Sequence, residues 1–161
     1  MEFVEVIQKR HSVRKFTDEP VDRELIDAII DMARTAPSSR NSRSTAFMVI
    51  EDKDTLAAMS TMRDYGSALL KGAAAAIVVM GDTEKSDVWV ENASISATYV
   101  QLAATALDLG SCWVHVRERL RSHDDPSQGT AEEYLRGLLG IRDQYSVLCV
   151  VALGHEALPE A

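Results

Sequence analysis

Residues 10–16, the basic segment, bring together the side chains best suited to bind a charged ligand. Arg10 and Arg14 supply guanidiniums, Lys15 an ammonium, His11 an imidazole and Ser12 a hydroxyl. If the segment is extended, Arg10, Ser12 and Arg14 project to one side at intervals of about 7 Å. Guanidiniums bind phosphate oxygens in pairs, and a hydroxyl adds a further donor. The segment therefore predicts an anion site that suits a phosphate monoester better than a carboxylic acid. A solvated basic turn is the alternative.

Residues 36–44, the serine loop, offer a second set of polar donors. The loop contains four serines, one asparagine and one proline. A predicted helix ends where the loop begins, so these hydroxyls and amides could form the rim of a site placed by the helix end. A flexible polar loop is the alternative, and composition leaves both open.

Length and charge limit the kinds of protein that this chain can be. Its 161 residues suit one domain, so we expect a single domain over residues 1–161. The 17 basic and 25 acidic residues give a net charge of −8, which argues against general binding of nucleic acid or anionic membranes. No apolar run is long enough to span a bilayer, and the amino terminus lacks signal-peptide features, so we expect a cytoplasmic protein.

Cysteine, histidine and glycine patterns give no metal site and no common nucleotide motif. Cys112 and Cys149 lie within apolar runs, which predicts buried strand thiols. The four histidines are scattered, and neither GxGxxG nor GxxxxGK[ST] occurs. The chain is also small for enclosing a large cofactor alone. A site shared between two copies would remove that difficulty.

Hydrophobic periodicity predicts helices interleaved with strands, which indicates an α+β class with a mixed central sheet and flanking helices. The helices are predicted around residues 3–7, over 22–36, from 54 onward, and over 65–71, 90–109 and 131–139; the strands over 46–50, 73–80, 111–116 and 146–153. Asp22 is a predicted N-cap, and Gly110 and Gly140 are predicted to end helices. From residue 97 onward the helix over residues 90–109 is apolar or small nearly all round. We therefore expect it to be buried both in the core and against a partner subunit.

Three stretches together resemble the nitroreductase family of flavin-dependent oxidoreductases. They are the basic segment, residues 36–41 (APSSRN) and residues 107–113 (LDLGSCW). They follow the family's order and its usual separations, and the likeness extends from about residue 3 to residue 154. The resemblance implies a nitroreductase-like fold and a homodimer, with the long buried helix and two shared FMN sites at the dimer interface.

The resemblance also assigns roles to the basic segment. Arg10 and Ser12 would hold the phosphate and ribityl end of FMN, with His11 beside them. Arg14 would lie near the N1 and C2 oxygen edge of the flavin, where a cation stabilises negative charge on the ring.

Two further sets of contacts are implied by the resemblance. The other subunit would close over the cofactor with Pro37, Ser38, Ser39 and Asn41. The backbone of one strand would face the ring and direct an N–H at its N5 edge, at Trp113, Val114 and His115. Core packing is the alternative for the Trp113 side chain, and His115 is expected to be structural rather than catalytic.

The implied activity passes electrons from NAD(P)H to a nitro, quinone or similar electron-poor acceptor, with ping-pong kinetics. The flavin carries this chemistry, so no side chain is predicted to be catalytic and no metal is expected. Two alternatives remain open: a flavin-binding module without turnover, and a dimeric interaction domain. The identity of the physiological acceptor and the choice between NADH and NADPH stay open.

The sequence departs from the family pattern at two places. After Asn41 the family often continues with Gln, Pro and Trp, whereas residues 42–45 here are Ser, Arg, Ser and Thr. The family also usually has a basic residue beyond the last strand that reaches the phosphate, and a tail that wraps the partner. Residues 158–161 are Leu, Pro, Glu and Ala, so we expect that contact to be missing. Either Arg117 or Arg119 replaces it, or FMN binds weakly.

Overall fold

The computed structural model describes residues 1–159. Glu160 and Ala161, the end of the expected short tail, lie outside the described residues. The helices are α1 (Phe3–Lys9), α2 (Arg23–Ala33), α3 (Lys53–Met59), α4 (Trp89–Ala106) and α5 (Ala131–Leu139); the strands are β1 (Thr45–Ile50), β2 (Ala75–Asp82), β3 (Gly110–His115) and β4 (Tyr145–Gly154). Short 3-10 turns occur at Ser39–Asn41, Ala68–Gly72 and Pro126–Gln128. The predicted α+β class is confirmed.

The four strands form one sheet in the order β1-β2-β4-β3. All three strand pairs are antiparallel, with Val78 of β2 opposite Val150 of β4. The sequence predicted a mixed sheet; parallel pairing among the described residues is confined to an isolated bridge between Ser12 and Ser111. The central strands β2 and β4 are continuous apolar runs because both of their faces are covered.

The sheet separates two apolar cores. On one face, α2 and α4 pack against residues such as Ile77, Val79 and Val151. On the other face, α3 and α5 cover the alternating residues, including Val78 and Val150. Cys112 and Cys149 are both free and buried, as predicted for strand thiols. Burial raises the pKa of the Cys149 thiol far above its ordinary value.

Tertiary contacts changed several predicted boundaries. α4 ends at Ala106 rather than at residue 109, and the left-handed residue after it is Asp108, with φ of 59°. The prediction that Gly110 ends this helix is therefore wrong, because Gly110 is the first residue of β3. α2 ends at Ala33, three residues early, and Asp22 precedes it without a side-chain capping hydrogen bond. Gly140 does end α5, with φ of 66°.

The outer surface of α1 is unusually apolar. Phe3, Val4 and Ile7 are 67%, 63% and 50% exposed, whereas Val6 is buried against the rest of the chain. α1 packs beside α4, and together with α2 they border an apolar groove of about 450 Å³. Among residues 1–159, no helix combines the length and apolarity that a membrane span requires.

Candidate functional site

The basic segment lies in extended form across the ends of β3 and β4. The backbone N–H of Val13 donates to the carbonyl of Ser111 at 2.9 Å. Just after the segment, the backbone N–H of Thr17 donates to the backbone carbonyl of His155 at 2.8 Å. Phe16 covers Gly154 so closely that an added Cβ would lie 2.7 Å from the ring. The segment is thus fixed to the sheet by isolated bridges at Ser12 and Phe16.

Val13 is the one fully buried residue of the basic segment. Val13 is buried against Gly110, while its neighbours Ser12 and Arg14 are exposed and Arg10 is half-buried. Within residues 1–159, no carboxylate lies within 4 Å of the guanidinium of Arg10 or Arg14. Both cations are therefore available to an anionic ligand, which is the chemistry predicted for this donor set.

Both ring nitrogens of His11 lie within hydrogen-bonding distance of groups of the same chain. Its Nε2 lies 2.9 Å from a carboxylate oxygen of Glu156, and its Nδ1 lies 2.8 Å from the carbonyl of Lys9. The hydrogen bond to Glu156, helped by that to Lys9, raises the pKa of His11 above its ordinary value. His11 lies beside Arg10 and Ser12 as predicted, but its ring fastens the segment to the residues after β4.

Cys112 lies beneath the basic segment. Burial raises the pKa of its thiol, although the charge of Arg14 and a hydrogen bond from Ser12 act in the opposite direction. Arg14, Ser12 and this thiol are therefore neighbours, and the thiol stays protonated at neutral pH.

The serine loop is held by a buried side chain that the sequence analysis missed. Asn92, on the first turn of α4, is 2% exposed. Its Oδ1 accepts the backbone N–H of Ser39 at 3.0 Å, and its Nδ2 donates to the hydroxyl of Ser44 at 3.0 Å. An amide inside an otherwise small and apolar helix face was the available signal, because a buried amide needs partners.

The backbone of the serine loop is tightly determined. Arg40, Asn41 and Arg43 all have positive φ, between 49° and 55°, which is unfavourable for residues other than glycine. The hydroxyl of Ser38 supports this conformation by accepting the backbone N–H of Arg43 at 3.0 Å. Pro37, Ser39 and Asn41 are exposed and Ser38 is half-buried. The loop thus has a defined backbone and presents exposed polar groups, and its role as the rim of a site stays a prediction.

The serine loop and the basic segment lie at opposite ends of α4. The loop contacts Asn92, whereas His11 and Val13 line a cavity together with Thr105 at the last turn. Thr105 lies thirteen positions after Asn92 in the helix, which corresponds to about 20 Å. One protomer therefore does not bring the two predicted halves of the site together.

β3 carries the third predicted group of site residues. Trp113 and His115 project to the α4 side of the sheet, and the Trp113 indole Nε1 donates to His115 Nδ1 at 3.1 Å. The side chain of Val114 is buried on the opposite face, so only its backbone is placed to meet a ligand. The Trp113 side chain also packs against the core, as the alternative prediction for it stated.

His115 lies among guanidiniums. Burial lowers its pKa, and the charges of Arg119, Arg63 and Arg117 lower it further. Arg63 donates to the carbonyl of His115 at 3.1 Å. Ser111 and His115 are about 13 Å apart along β3, so Arg117 and Arg119 are remote from Ser12 within one protomer. The expectation that either would replace a missing phosphate contact finds no support in this placement.

These features define an α+β sheet protein with a basic segment fixed beside the edge strand β3. The sequence profile of the Nitroreductase family matches residues 7–68 and 58–155. The chain belongs to the nitroreductase family, and the resemblance described above is confirmed.

Individual relatives agree with this assignment. A protein of Archaeoglobus fulgidus, provisionally named NADH dehydrogenase/NAD(P)H nitroreductase, is 34% identical over 161 residues, covering 96% of this chain and 85% of its own. An FMN-dependent nitroreductase of Clostridium difficile R20291 superposes with a TM-score of 0.90 at 40% identity, covering 98% of this chain and 89% of its own. A provisionally named nitroreductase of Desulfovibrio desulfuricans, solved in complex with FMN, has a TM-score of 0.78 at 26% identity, covering 98% and 88%.

Proposed function

We propose that this protein is a homodimeric FMN-dependent oxidoreductase that passes electrons from NAD(P)H to a nitro compound, a quinone or a similar electron-poor acceptor. The observation that carries the proposal is the pair of guanidiniums at Arg10 and Arg14, which have no carboxylate partner among the described residues and flank the exposed hydroxyl of Ser12. This donor set fits a phosphate monoester. The named FMN-dependent and FMN-bound relatives support the choice of ligand.

Each part of the basic segment has a separate task in this proposal. Arg10 and Ser12 hold the phosphate and ribityl end, and His11 keeps the segment in place through Glu156. Arg14 holds the N1 and C2 oxygen edge of the ring, where its positive charge favours negative charge on the flavin. Val13, buried against Gly110, fixes the spacing between these donors.

A second copy of the chain would complete the site. Because the serine loop and the basic segment are about 20 Å apart along α4, two α4 helices packed antiparallel would bring the loop of one protomer to the basic segment of the other. The exposed apolar residues Phe3, Val4 and Ile7 supply a surface for this contact. In the dimer, the partner's loop would cover the cofactor with the residues predicted for that role, namely Pro37, Ser38, Ser39 and Asn41.

The edge strand β3 supplies the remaining contacts. Its backbone at Trp113, Val114 and His115 would face the ring. When bound, FMN supplies the hydride chemistry that no side chain of the chain provides. The protein holds the cofactor and leaves one face open, and donor and acceptor use that face in turn. This shared space is the reason to expect ping-pong kinetics.

Spectroscopy of the purified protein tests the proposal. We expect a yellow dimer that keeps its FMN on a sizing column, is bleached by NADH or NADPH without oxygen, and regains its colour when a quinone or nitroaromatic is added. Parallel double-reciprocal lines for donor and acceptor would support the ping-pong scheme. A colourless protein that takes up no added FMN would rule out the proposal, and binding without bleaching would leave a flavin-binding module.

A further inference from the structure

Three guanidiniums converge around the end of β3, and we call Arg63, Arg117 and Arg119 the arginine cluster. Arg63 comes from the segment between α3 and the Ala68–Gly72 turn, while Arg117 and Arg119 directly follow β3. The side chain of Arg63 donates to the carbonyl of His115 at 3.1 Å. The positive charges of all three arginines lower the pKa of His115, so all three lie near its imidazole.

The cluster has more positive charge than its surroundings neutralise. Arg117 pairs with Glu118 at 3.1 Å. Among residues 1–159, Arg63 and Arg119 have no carboxylate within 4 Å, and Arg119 donates only to the carbonyl of Glu118, at 3.4 Å. Burial lowers the pKa of Arg63, and the charge of Arg119 adds to that effect, while the charge of Asp64 opposes it to a smaller extent.

Without a bound anion, this accumulation of positive charge is unfavourable. Like charges repel, and the partly buried Arg63 has lost part of its hydration without gaining a counter-ion. The His115 imidazole does not offset this positive charge. Its Nδ1 accepts the indole N–H of Trp113, and the ring is neutral. A bound oxyanion would relieve the repulsion and accept the free guanidinium donors.

We propose that the arginine cluster binds an oxyanion group carried by a substrate, either the 2′-phosphate of NADPH or a carboxylate of the electron acceptor. The proposal rests on the proposed function, and it adds a substrate-recognition site to it. The cluster lies next to His115, about 13 Å along β3 from the bridge between Ser111 and Ser12, so its anion is distinct from the FMN phosphate held by the basic segment.

Paired substrates tell the two sources apart. With NADH as donor, 4-nitrobenzoate is compared with the uncharged 4-nitrobenzyl alcohol; with the uncharged acceptor, NADPH is compared with NADH. Arg119→Gln is the test variant because Arg119 is exposed, and Arg119→Lys retains the charge. Arg23→Gln is the matched control, since Arg23 is an equally charged surface residue of α2 that pairs with Asp27 and Glu51.

We expect Arg119→Gln to lower kcat/KM for one of the two compounds that carry the extra anionic group, 4-nitrobenzoate or NADPH, by roughly ten- to a hundredfold, mainly through KM. The counterpart that lacks this group should be spared. Arg119→Lys should recover part of the loss, and Arg23→Gln should change nothing. The pair that responds identifies the source of the anion. Equal effects on both members of each pair, or no effect on either pair, would overturn the proposal.

A binding measurement makes this test independent of turnover. Inorganic phosphate or pyrophosphate is titrated into the protein, and the His115 ring protons are followed by NMR. In the wild-type protein an anion at the cluster should shift the His115 titration towards higher pH, and the shift should be lost in Arg119→Gln. An unshifted His115 in the wild type, or the same shift in both proteins, counts against the cluster. A protein without FMN would disprove the proposed function, yet this titration would still judge the anion site.

Discussion

Trp113 and His115 lie on the same face of β3, with the indole Nε1 donating to the imidazole Nδ1 at 3.1 Å and the two rings within 15° of parallel. An indole N–H can only donate, so His115 Nδ1 must be an unprotonated acceptor. This hydrogen bond, burial and three nearby guanidiniums all favour the neutral imidazole. Two residues of one strand thus hold a histidine uncharged beside a basic cluster.

His115 should make the protein less stable in acid. Its pKa is below the ordinary 6.5 in the folded state, so the unfolded chain binds a proton more readily once the pH falls below about 6.5. Its contribution to stability is therefore present above that pH and is lost as the pH falls through the folded-state pKa. In His115→Gln, which can still accept from Trp113, urea midpoints should decline less between about pH 7.5 and about pH 5. An unchanged acid decline would contradict this assignment.

His11 should have the opposite effect. The hydrogen bond to Glu156 raises its pKa, so its favourable contribution is complete below about pH 6.5 and is lost as the pH rises through the higher folded-state value. In Glu156→Gln this loss towards alkaline pH should become smaller. The same urea series measures it, and a double variant with His11→Gln should show no further change in pH dependence if the pair is the cause.

Arg14 should matter for FMN and little for folding. Arg14→Gln removes a charged donor from an exposed side chain, so thermal unfolding should stay within a few tenths of a kcal/mol of the wild type. FMN affinity should fall by about one to two decades, as for the loss of one charge-assisted hydrogen bond. Quenching of flavin fluorescence on titration measures the dissociation constant. The control is Arg23→Gln, and equal affinity in the two variants would remove Arg14 from the site.

Asn92 should stabilise the serine loop. Asn92→Leu leaves the backbone N–H of Ser39 and the hydroxyl of Ser44 without their partner, which we expect to cost about 1–3 kcal/mol of unfolding free energy. Amide hydrogen exchange in the loop should accelerate. Glu91→Gln, an exposed change one residue away, is the control. Unaltered exchange in Asn92→Leu would show that the loop holds its shape by other means.

Two glycine-to-alanine substitutions should have opposite effects on the stability of the protein. A Cβ at Gly110 would lie 3.0 Å from three atoms of Val13, so Gly110→Ala should displace the basic segment, cost about 1–3 kcal/mol and weaken FMN binding. Gly137 lies within α5 with no atom within 4 Å of an added Cβ. Gly137→Ala should therefore stabilise the protein by up to about 1 kcal/mol. Denaturant unfolding of both variants, with FMN titration, checks the pair; a neutral Gly110→Ala would mean that the segment is not packed as described.

Local sequence signals predicted the elements whose causes are local. The basic segment, α5 with Gly140 and the two buried central strands follow from alternation, capping and apolar runs. The end of α4 was mispredicted because Gly110 is required by the approach of Val13, nearly a hundred residues earlier in the chain. Asn92 and Arg63 were missed for the same reason. Their roles depend on partners that only the folded chain brings near.

The placement of two half-sites at opposite ends of α4 has a genetic consequence. Under the proposed dimer, a chain defective in Arg14 and a chain defective in the serine loop would each be inactive alone. Co-expressed, they would form heterodimers in which one composite pocket carries both lesions and the other carries none. About half of the normal activity per heterodimer would then return. Such interallelic complementation would show that Arg14 and the serine loop of one pocket come from different protomers.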